Sequence, residues 1–254
     1  MPRPLIAALP MYDRAETAAA NDRLWRAIRD ALGYGPAALT RDADLMTLWQ
    51  SRDLLLAQTC GYPYRARLHD YVTLVATPDY GLPDLPAGYY QSLFLIRADH
   101  PARTLADLDG ARFAYNEPLS QSGWAAPRSH ADATGLRFGP LLQTGAHRAS
   151  ALAVAHGHAD FAALDALTWA LICDHDGFAA DLRVIARTPP TPGLPLITAK
   201  TRDPAPLFAA IETAITELPA ATRACLHLNG LVHIPASAYL DVATPCAPPP
   251  PPKT

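Results

Sequence analysis

Short apolar runs alternate with longer amphipathic stretches along most of the chain. Runs of this kind predict buried strands, and they are "PLIAAL", "LLLAQT", "YVTLVAT", "SLFLIRA", "ARFAYN", "ADFAALD" and "LRVIAR". Helical periodicity is found between them, in residues 14–32, 101–109, 122–134, 146–157, 166–173 and 204–217. Strands that alternate with helices predict an α/β fold with mostly parallel strands.

The first helix has the clearest pattern. Leu24, Ile28 and Leu32 recur four residues apart, so one face of the helix is apolar. Asp13 is placed to cap its start, and Gly33 is placed to end it. We therefore expect this helix to pack on a sheet.

Composition and charge limit the possible functions. Half of the 254 residues are hydrophobic, which is enough for one large or two medium domains. A net charge of -3 provides no basic surface for nucleic acid or an acidic membrane, so small ligands remain as partners. The four cysteines are scattered without zinc-like spacing, and we expect neither disulfides nor a metal or other cofactor.

The two ends of the chain bear on location. The start, "MPRPLIAALPMYD", lacks the apolar core of a secretory signal, and no apolar stretch is long enough to span a membrane. The sequence as written therefore predicts a cytoplasmic protein; a mature chain that has lost its signal would instead be periplasmic. The tail, 244–254, contains a proline run that favours extended polyproline geometry, and we expect it to be peripheral.

The stretch "NEPLSQSGWAAP", residues 116–127, connects a predicted strand to a predicted helix. It places Ser120, Gln121 and Ser122 at a helix N-terminus, where backbone N–H groups attract anions. Gly123 leaves room for a ligand to approach the backbone. The alternative is that one of the serines only caps the helix, and the pattern alone does not separate the two.

Other predicted strand ends carry further candidates. In "LLLAQTCGYPYRARL" a buried strand leads into Cys60, Gly61 and Tyr62, and α/β sheets bind ligands at such ends. His147 begins another predicted helix, and Asp165 ends the strand that follows. A histidine at a helix start is more often a solvated cap than a ligand contact, so it needs further support.

A family resemblance supplies that support. The segments "LADLDGARFAYNEPLSQSGW", "GAHRASALAVAHGHADFAALD" and "VIARTPPTPGLPLIT" resemble the phosphate, phosphite and phosphonate substrate-binding proteins of ABC transporters. The family loop Pro-x-Ser-Thr-Ser-Gly corresponds to Pro118–Gly123, in which Gln121 replaces the threonine. The family's Gly-x-His corresponds to Gly145–His147, its aspartate to Asp165 and its proline pair to Pro189–Pro190.

The resemblance implies a type II periplasmic-binding fold, in which two α/β lobes close on a small anion. We expect lobe 1 to comprise residues 1–88 and 193–254 and lobe 2 residues 89–192, each with a mixed, mostly parallel sheet. The strand ends "LPMYD" and "QTCGYPY" depart from the family, so the first lobe's half of the pocket is rebuilt. Aromatic rings from Tyr12, Tyr62 and Tyr90 would suit a ligand with an organic body.

Two rival chemistries are less favoured. Ser122, His147 and Asp165 are the residue types of a hydrolase triad, but the chain lacks a G-x-S-x-G elbow. His156, His158 and Asp160 resemble a metal cluster, although histidines two apart on a helix point in different directions, and "CDHD" (173–176) has the same weakness.

We therefore expect a binding protein for a phosphonate-like, phosphate-like or other organic anion, partnered by an ABC-transporter permease if it is exported. A cytoplasmic biosynthetic or hydrolytic enzyme on the same scaffold is the alternative.

Overall fold

The computed structural model describes residues 4–250, and the chain divides into two compact units. Unit 1 runs to Tyr89 and includes Pro192–Asp241, whereas unit 2 contains Tyr90–Thr191 and the chain from Val242 onwards. We expected the tail to belong to the first lobe, but its described part, residues 244–250, belongs to unit 2. The expectations for residues 1–3 and 251–254 lie outside the described residues.

Every apolar run predicted as a strand contains one, and further short strands follow. The strands are β1 (Ile6–Ala8), β2 (Leu54–Gln58), β3 (Val72–Asp79), β4 (Tyr89–Tyr90), β5 (Ser92–Arg97), β6 (Phe113–Tyr115), β7 (Leu141–Gln143), β8 (Phe161–Asp165), β9 (Leu182–Arg187), β10 (Thr191–Pro192), β11 (Leu196–Ala199) and β12 (Gly230–Val232).

The helices include those predicted, except that the stretch 101–109 forms only a 3₁₀ turn, Leu105–Leu108. The α-helices are α1 (Ala18–Leu32), α2 (Leu45–Trp49), α3 (Gly61–Pro63), α4 (Ala126–Thr134), α5 (His147–Ala155), α6 (Ala166–His175), α7 (Ala205–Glu217), α8 (Ala220–Cys225) and α9 (Ala236–Leu240). A second 3₁₀ turn spans Gly177–Asp181, and π-helical turns span Tyr64–Leu68 and Gln121–Ala125.

Unit 1 is built on one sheet with the strand order β1-β2-β11-β3-β12. Leu24 and Ile28 of α1 are buried together with Ile211 of α7, so the predicted apolar face does pack in the core. Gly33 ends α1 in the left-handed conformation, as expected. The predicted cap is wrong, because the carboxylate of Asp13 accepts from the Asn21 amide at 3.0 Å and α1 begins after Thr17.

Unit 2 is built on a sheet with the order β7-β6-β8-β5-β9. β6 runs parallel to β7 and β8, and in unit 1 β1 runs parallel to β2. In contrast, β5 and β11 are antiparallel to both of their neighbours, and β12 is antiparallel to β3. Most strands of each sheet nevertheless point the same way, namely β1, β2 and β3 in unit 1 and β6, β7, β8 and β9 in unit 2, so the expected mixed, mostly parallel sheets are confirmed. The chain enters unit 2 just before β5 and returns to unit 1 just before β11. Neither strand is therefore reached through a crossover helix of its own unit, which would impose a parallel direction.

The sheet of unit 2 brings the candidate loop and its partners to one edge. β6 and β8 are parallel neighbours, so their carboxyl ends meet at the same edge. The turn Gln121–Ala125 follows β6 and continues into α4, and Asp165 is the last residue of β8. Across residues 4–250, the helices are too short or too polar to cross a bilayer.

Candidate functional site

Ser120 caps the helix that follows β6. Its backbone is extended, and its Oγ accepts a hydrogen bond from the Gly123 N–H at 3.0 Å. Its carbonyl accepts from the N–H groups of Trp124 and Ala125, at 3.2 and 2.9 Å. The capping interpretation therefore holds for Ser120. The hydroxyl of Ser122 has a different partner, and Gln121 is buried beside it.

Ser122 contacts the histidine of the neighbouring helix. Its Oγ lies 2.9 Å from Nε2 of His147, the first residue of α5. The serine is almost completely buried, and the side chain of His147 is 15% exposed. Two helix starts are thus joined by one hydrogen bond.

Asp165 anchors this pair from the end of β8. Its Oδ1 accepts from the Thr168 N–H at 2.8 Å, which caps α6, and its Oδ2 accepts from the Thr168 hydroxyl at 2.5 Å. The same Oδ2 lies 3.6 Å from Nε2 of His147. This separation is longer than a hydrogen bond, so Asp165 acts on the imidazole through its charge. The tautomer of His147 decides which of Nε2 and the Ser122 hydroxyl supplies the hydrogen between them.

The protonation of His147 follows from its surroundings. Burial lowers the pKa of His147 below its usual value of 6.5, and the charge of Asp165 opposes this only in part. The imidazole is therefore mainly neutral at pH 7.

The arrangement differs from a hydrolase triad. Ser122 and Asp165 both face Nε2 of His147, while its Nδ1 is buried without a hydrogen-bond partner among the described residues. In a triad the serine and the carboxylate bind opposite ring nitrogens, so that the imidazole passes a proton. Here both groups face the same nitrogen and the other nitrogen has no carboxylate partner in the described part of the chain, so the geometry of a triad is not formed.

Within residues 4–250, His, Cys, Asp and Glu side chains form no group of three that could hold a metal ion. Asp160 is paired with Arg112 at 2.7 Å. The rings of His156 and His158 face each other edge-on with centroids 6.0 Å apart.

Gly123 is required by sterics. A Cβ there would lie 1.9 Å from Oδ1 of Asn116 and 3.1 Å from Cε1 of His147. Asn116 was not among the sequence candidates, although it directly follows β6 in "FAYNEP". Only a residue without a side chain lets Asn116 and His147 approach the loop this closely.

Four of the candidates lie in unit 1, at the ends of its strands. Tyr12 packs edge-on against Tyr80, with ring centroids 5.2 Å apart, and the Gln58 amide donates to the Tyr80 hydroxyl at 2.9 Å. These three side chains border an apolar cavity of about 40 Å³. Neither Gln58 nor Tyr80 was predicted from the sequence.

The other candidates of unit 1 form the start of α3. Cys60 precedes the helix and is not part of a disulfide, Gly61 is buried, and the ring of Tyr62 lies 4.6 Å from the Arg65 guanidinium carbon. Tyr90, in β4, is assigned to unit 2 and is 3% exposed. The structure thus brings together Ser120–Gly123, His147 and Asp165.

Residues 6–235 match the model of a protein family described as the phosphonate periplasmic substrate-binding protein of ABC transporters. The chain belongs to this family. A comparison with curated protein sequences finds no match.

Solved structures of low sequence identity share the fold of this family member. PhnD1 from Prochlorococcus marinus, in complex with methylphosphonate, is 15% identical with a TM-score of 0.75 over 94% of this chain and 95% of that chain. XAC2383 from Xanthomonas citri is 17% identical with a TM-score of 0.68 over 92% of each chain. A binding-protein component of a phosphonate ABC transporter from Pseudomonas aeruginosa is 18% identical with a TM-score of 0.68, over 94% of this chain and 84% of that chain.

The fold is that of type II periplasmic-binding proteins, as expected. The chain is accordingly a small-molecule, anion-binding protein of the substrate-binding family.

Proposed function

We propose that this substrate-binding protein holds the anionic head of a phosphonate-like or phosphate-like organic ligand at the loop Ser120–Gly123 of unit 2. The proposal rests above all on the 2.9 Å contact between Ser122 Oγ and His147 Nε2. We assign Nε2 of His147 as the donor in this contact, since the charge of Asp165 favours a hydrogen on that nitrogen, and the Ser122 hydroxyl hydrogen is then available to an anion.

The surrounding backbone adds further attraction. The turn Gln121–Ala125 and α4 form one continuous helix whose first N–H groups and positive dipole end lie at the loop. The loop contains no lysine or arginine. Recognition would therefore use neutral donors at fixed positions, which suits an anion that must be released again.

The ligand class and the setting follow from the family. Methylphosphonate is the ligand of PhnD1, which supports a phosphonate as the first compound to test. The family is periplasmic, so we infer that the chain acts outside the cytoplasm and delivers its ligand to an ABC-transporter permease. Tyr12, Cys60, Gly61, Tyr62 and Tyr90 remain predicted contacts for the organic part of the ligand.

Calorimetric titration of methylphosphonate, larger organophosphonates, inorganic phosphate, a sulfonate and a carboxylate tests the proposal. At least one organophosphonate should bind more tightly than phosphate. Ser122→Ala should weaken that binding on the order of 10–100-fold, because a hydrogen bond to a charge contributes about 1.5–3 kcal/mol.

Ser129→Ala, which removes a hydroxyl from α4 beyond the loop, is the matched control and should leave the affinity unchanged. The proposal fails if none of the phosphorus or sulfur anions binds, or if the Ser122 and Ser129 variants have the same affinity.

A further inference from the structure

The C-terminal segment Val242–Pro250, called the strap below, belongs to unit 2, although α9 immediately before it belongs to unit 1. The indole Nε1 of Trp124 donates a hydrogen bond to the carbonyl of Cys246 at 2.9 Å. The family match ends at residue 235, so the strap lies outside the matched residues.

Burial along the strap has a period of three. Val242, Pro245 and Pro248 are partly buried, and the residues between them are exposed. A polyproline II helix has three residues per turn, so every third side chain lies on one face. The proline content and the burial pattern together indicate an extended helix that lies with one face on the protein.

Aromatic rings form the surface near the strap. The ring centroids of Tyr115 and Trp124 are 5.2 Å apart, and those of Trp124 and Phe138 are 6.1 Å apart. These three side chains, called the aromatic groove below, line a cavity of about 560 Å³ together with Cys246, Pro249 and Pro250 of the strap. Rings combined with an indole N–H that binds a peptide carbonyl suit the recognition of a polyproline helix.

The aromatic groove is directly connected to the candidate site. Trp124 follows Gly123, and its backbone N–H donates to the Ser120 carbonyl. Trp124 is 3% exposed, so its ring has little freedom to move without moving the loop. A bond that fixes the indole therefore restrains the segment that presents Ser122.

We propose that the strap is a built-in polyproline ligand of the aromatic groove and that its docking holds Ser120–Gly123 in the conformation that binds the anion. The effect on anion binding rests on the proposed function, whereas the docking itself does not. Trp124 acts here as a positioning residue.

Nuclear magnetic resonance of the full chain measures docking directly. The chain has four tryptophans, and Trp124→Phe identifies the indole signal of Trp124 among them. Pro245→Ala combined with Pro248→Ala removes the two partly buried prolines, and this double variant should speed hydrogen exchange of the Trp124 indole at least tenfold. Pro83→Ala combined with Pro86→Ala changes two exposed prolines of unit 1, outside the strap and the aromatic groove, and is the matched control, which should keep the indole protected.

The coupling is measured on the same variants. Loss of docking should weaken organophosphonate binding about fivefold or more, the lower range of couplings between sites, while the control pair binds as the unaltered chain does. A synthetic peptide of residues 241–254, added to the inward-facing double variant, should restore both indole protection and affinity.

Three outcomes would overturn the proposal. The indole of Trp124 could exchange equally fast in all chains, or the peptide could restore neither indole protection nor affinity. The third is an anion affinity that stays the same when the strap is released. If the unaltered chain binds no anion, the proposed function fails, and amide exchange at Gly123 and Trp124 still decides whether the strap orders the loop. The proline changes lie at the surface, so this test does not depend on the folding of the Trp124 variant.

Discussion

The two units contain a similar helix start, but the side chains around it differ. Each has a helix that begins after a strand and includes a π-helical turn, at Tyr64–Leu68 in unit 1 and Gln121–Ala125 in unit 2. In unit 2 the Ser120 side chain caps the helix, whereas Cys60 of unit 1 makes no such bond. Interruptions of this kind are frequent at functional sites.

The side chains around the two helix starts differ in their chemistry. Around the helix start in unit 2 lie the hydroxyls of Ser120 and Ser122, the imidazole of His147 and the carboxylate of Asp165. Near the end of β2 in unit 1 lie Tyr12 and Tyr80 with the Gln58 amide, which offer rings with polar edges. The proposed anion loop thus lies in unit 2, and most of the aromatic residues predicted to contact an organic ligand lie in unit 1.

The largest expected difference between the two helix starts concerns their glycines. Gly123→Ala should destabilise the protein by about 1–3 kcal/mol, the usual effect of overpacking, because the new Cβ meets Asn116 and His147. Gly61→Ala is the matched change in unit 1, where the nearest atom is 3.7 Å away in the Tyr239 ring. It should alter the free energy of unfolding in urea by less than about 0.5 kcal/mol. Equal effects would show that the crowding around Gly123 is easily relieved.

Two aspartates with the same capping geometry give the next test. Asp44 caps α2 through the Thr47 N–H at 2.9 Å, and Asp165 caps α6 through the Thr168 N–H at 2.8 Å. Asp165→Ala should cost about 1–2 kcal/mol and also weaken anion binding, since His147 loses its carboxylate neighbour.

Asp44→Ala controls for the loss of a cap. It should lower stability less, because Asp44 is exposed, and it should leave anion binding unchanged. An Asp165 variant that unfolds more easily but binds anions normally would restrict this residue to capping.

The sequence predicted the parts of the fold whose pattern is strong and local. The apolar face of α1 and the buried runs of β2 and β8 were recognised because nearly every residue agrees with the element. Which strands of the mixed sheets run antiparallel could not be predicted, because the directions of β5 and β11 depend on where the chain enters a unit. The short β12 was missed because its three residues are all half-buried and show no alternation.

The site divides in the same way. Four candidates lie at the ends of elements that the pattern predicts correctly: Ser120, Ser122, His147 and Asp165. The resemblance to the family predicts that they share a role in anion binding. The bond between Trp124 and Cys246 joins residues far apart in the sequence, and no local pattern marks such a pair.

A smaller effect is expected from pH. Burial lowers the pKa of His147 in the folded protein below 6.5, so the unfolded chain binds the proton more readily. The neutral imidazole therefore contributes stability that is fully present above pH 6.5 and is lost as the pH falls below it, at up to about 1.4 kcal/mol per pH unit.

Urea unfolding at pH 5 to 8 measures this loss, and His147→Gln should remove it. His233→Gln changes an exposed histidine of unit 1 and controls for the loss of one imidazole. If the His147 and His233 variants follow the same pH profile, burial at the loop does not perturb the imidazole.

The smallest expected effect tests whether unit 1 selects the organic part of the ligand. Tyr12 rests edge-on against Tyr80, which the Gln58 amide holds through its hydroxyl, so the two rings form a defined apolar surface. Tyr12→Ala should reduce the preference for an aryl phosphonate over inorganic phosphate by about 2–10-fold, since an aromatic contact contributes about 0.5–1.5 kcal/mol. Phosphate itself should bind almost as before, because it has no organic part.

Tyr34→Ala removes a tyrosine of unit 1 that is 49% exposed and should leave the preference for the aryl phosphonate intact. Calorimetric titration of both ligands against the three chains gives the ratio directly. An unchanged ratio in the Tyr12 variant would mean that ligand choice is decided by the hydroxyls and imidazole of unit 2 without help from these rings.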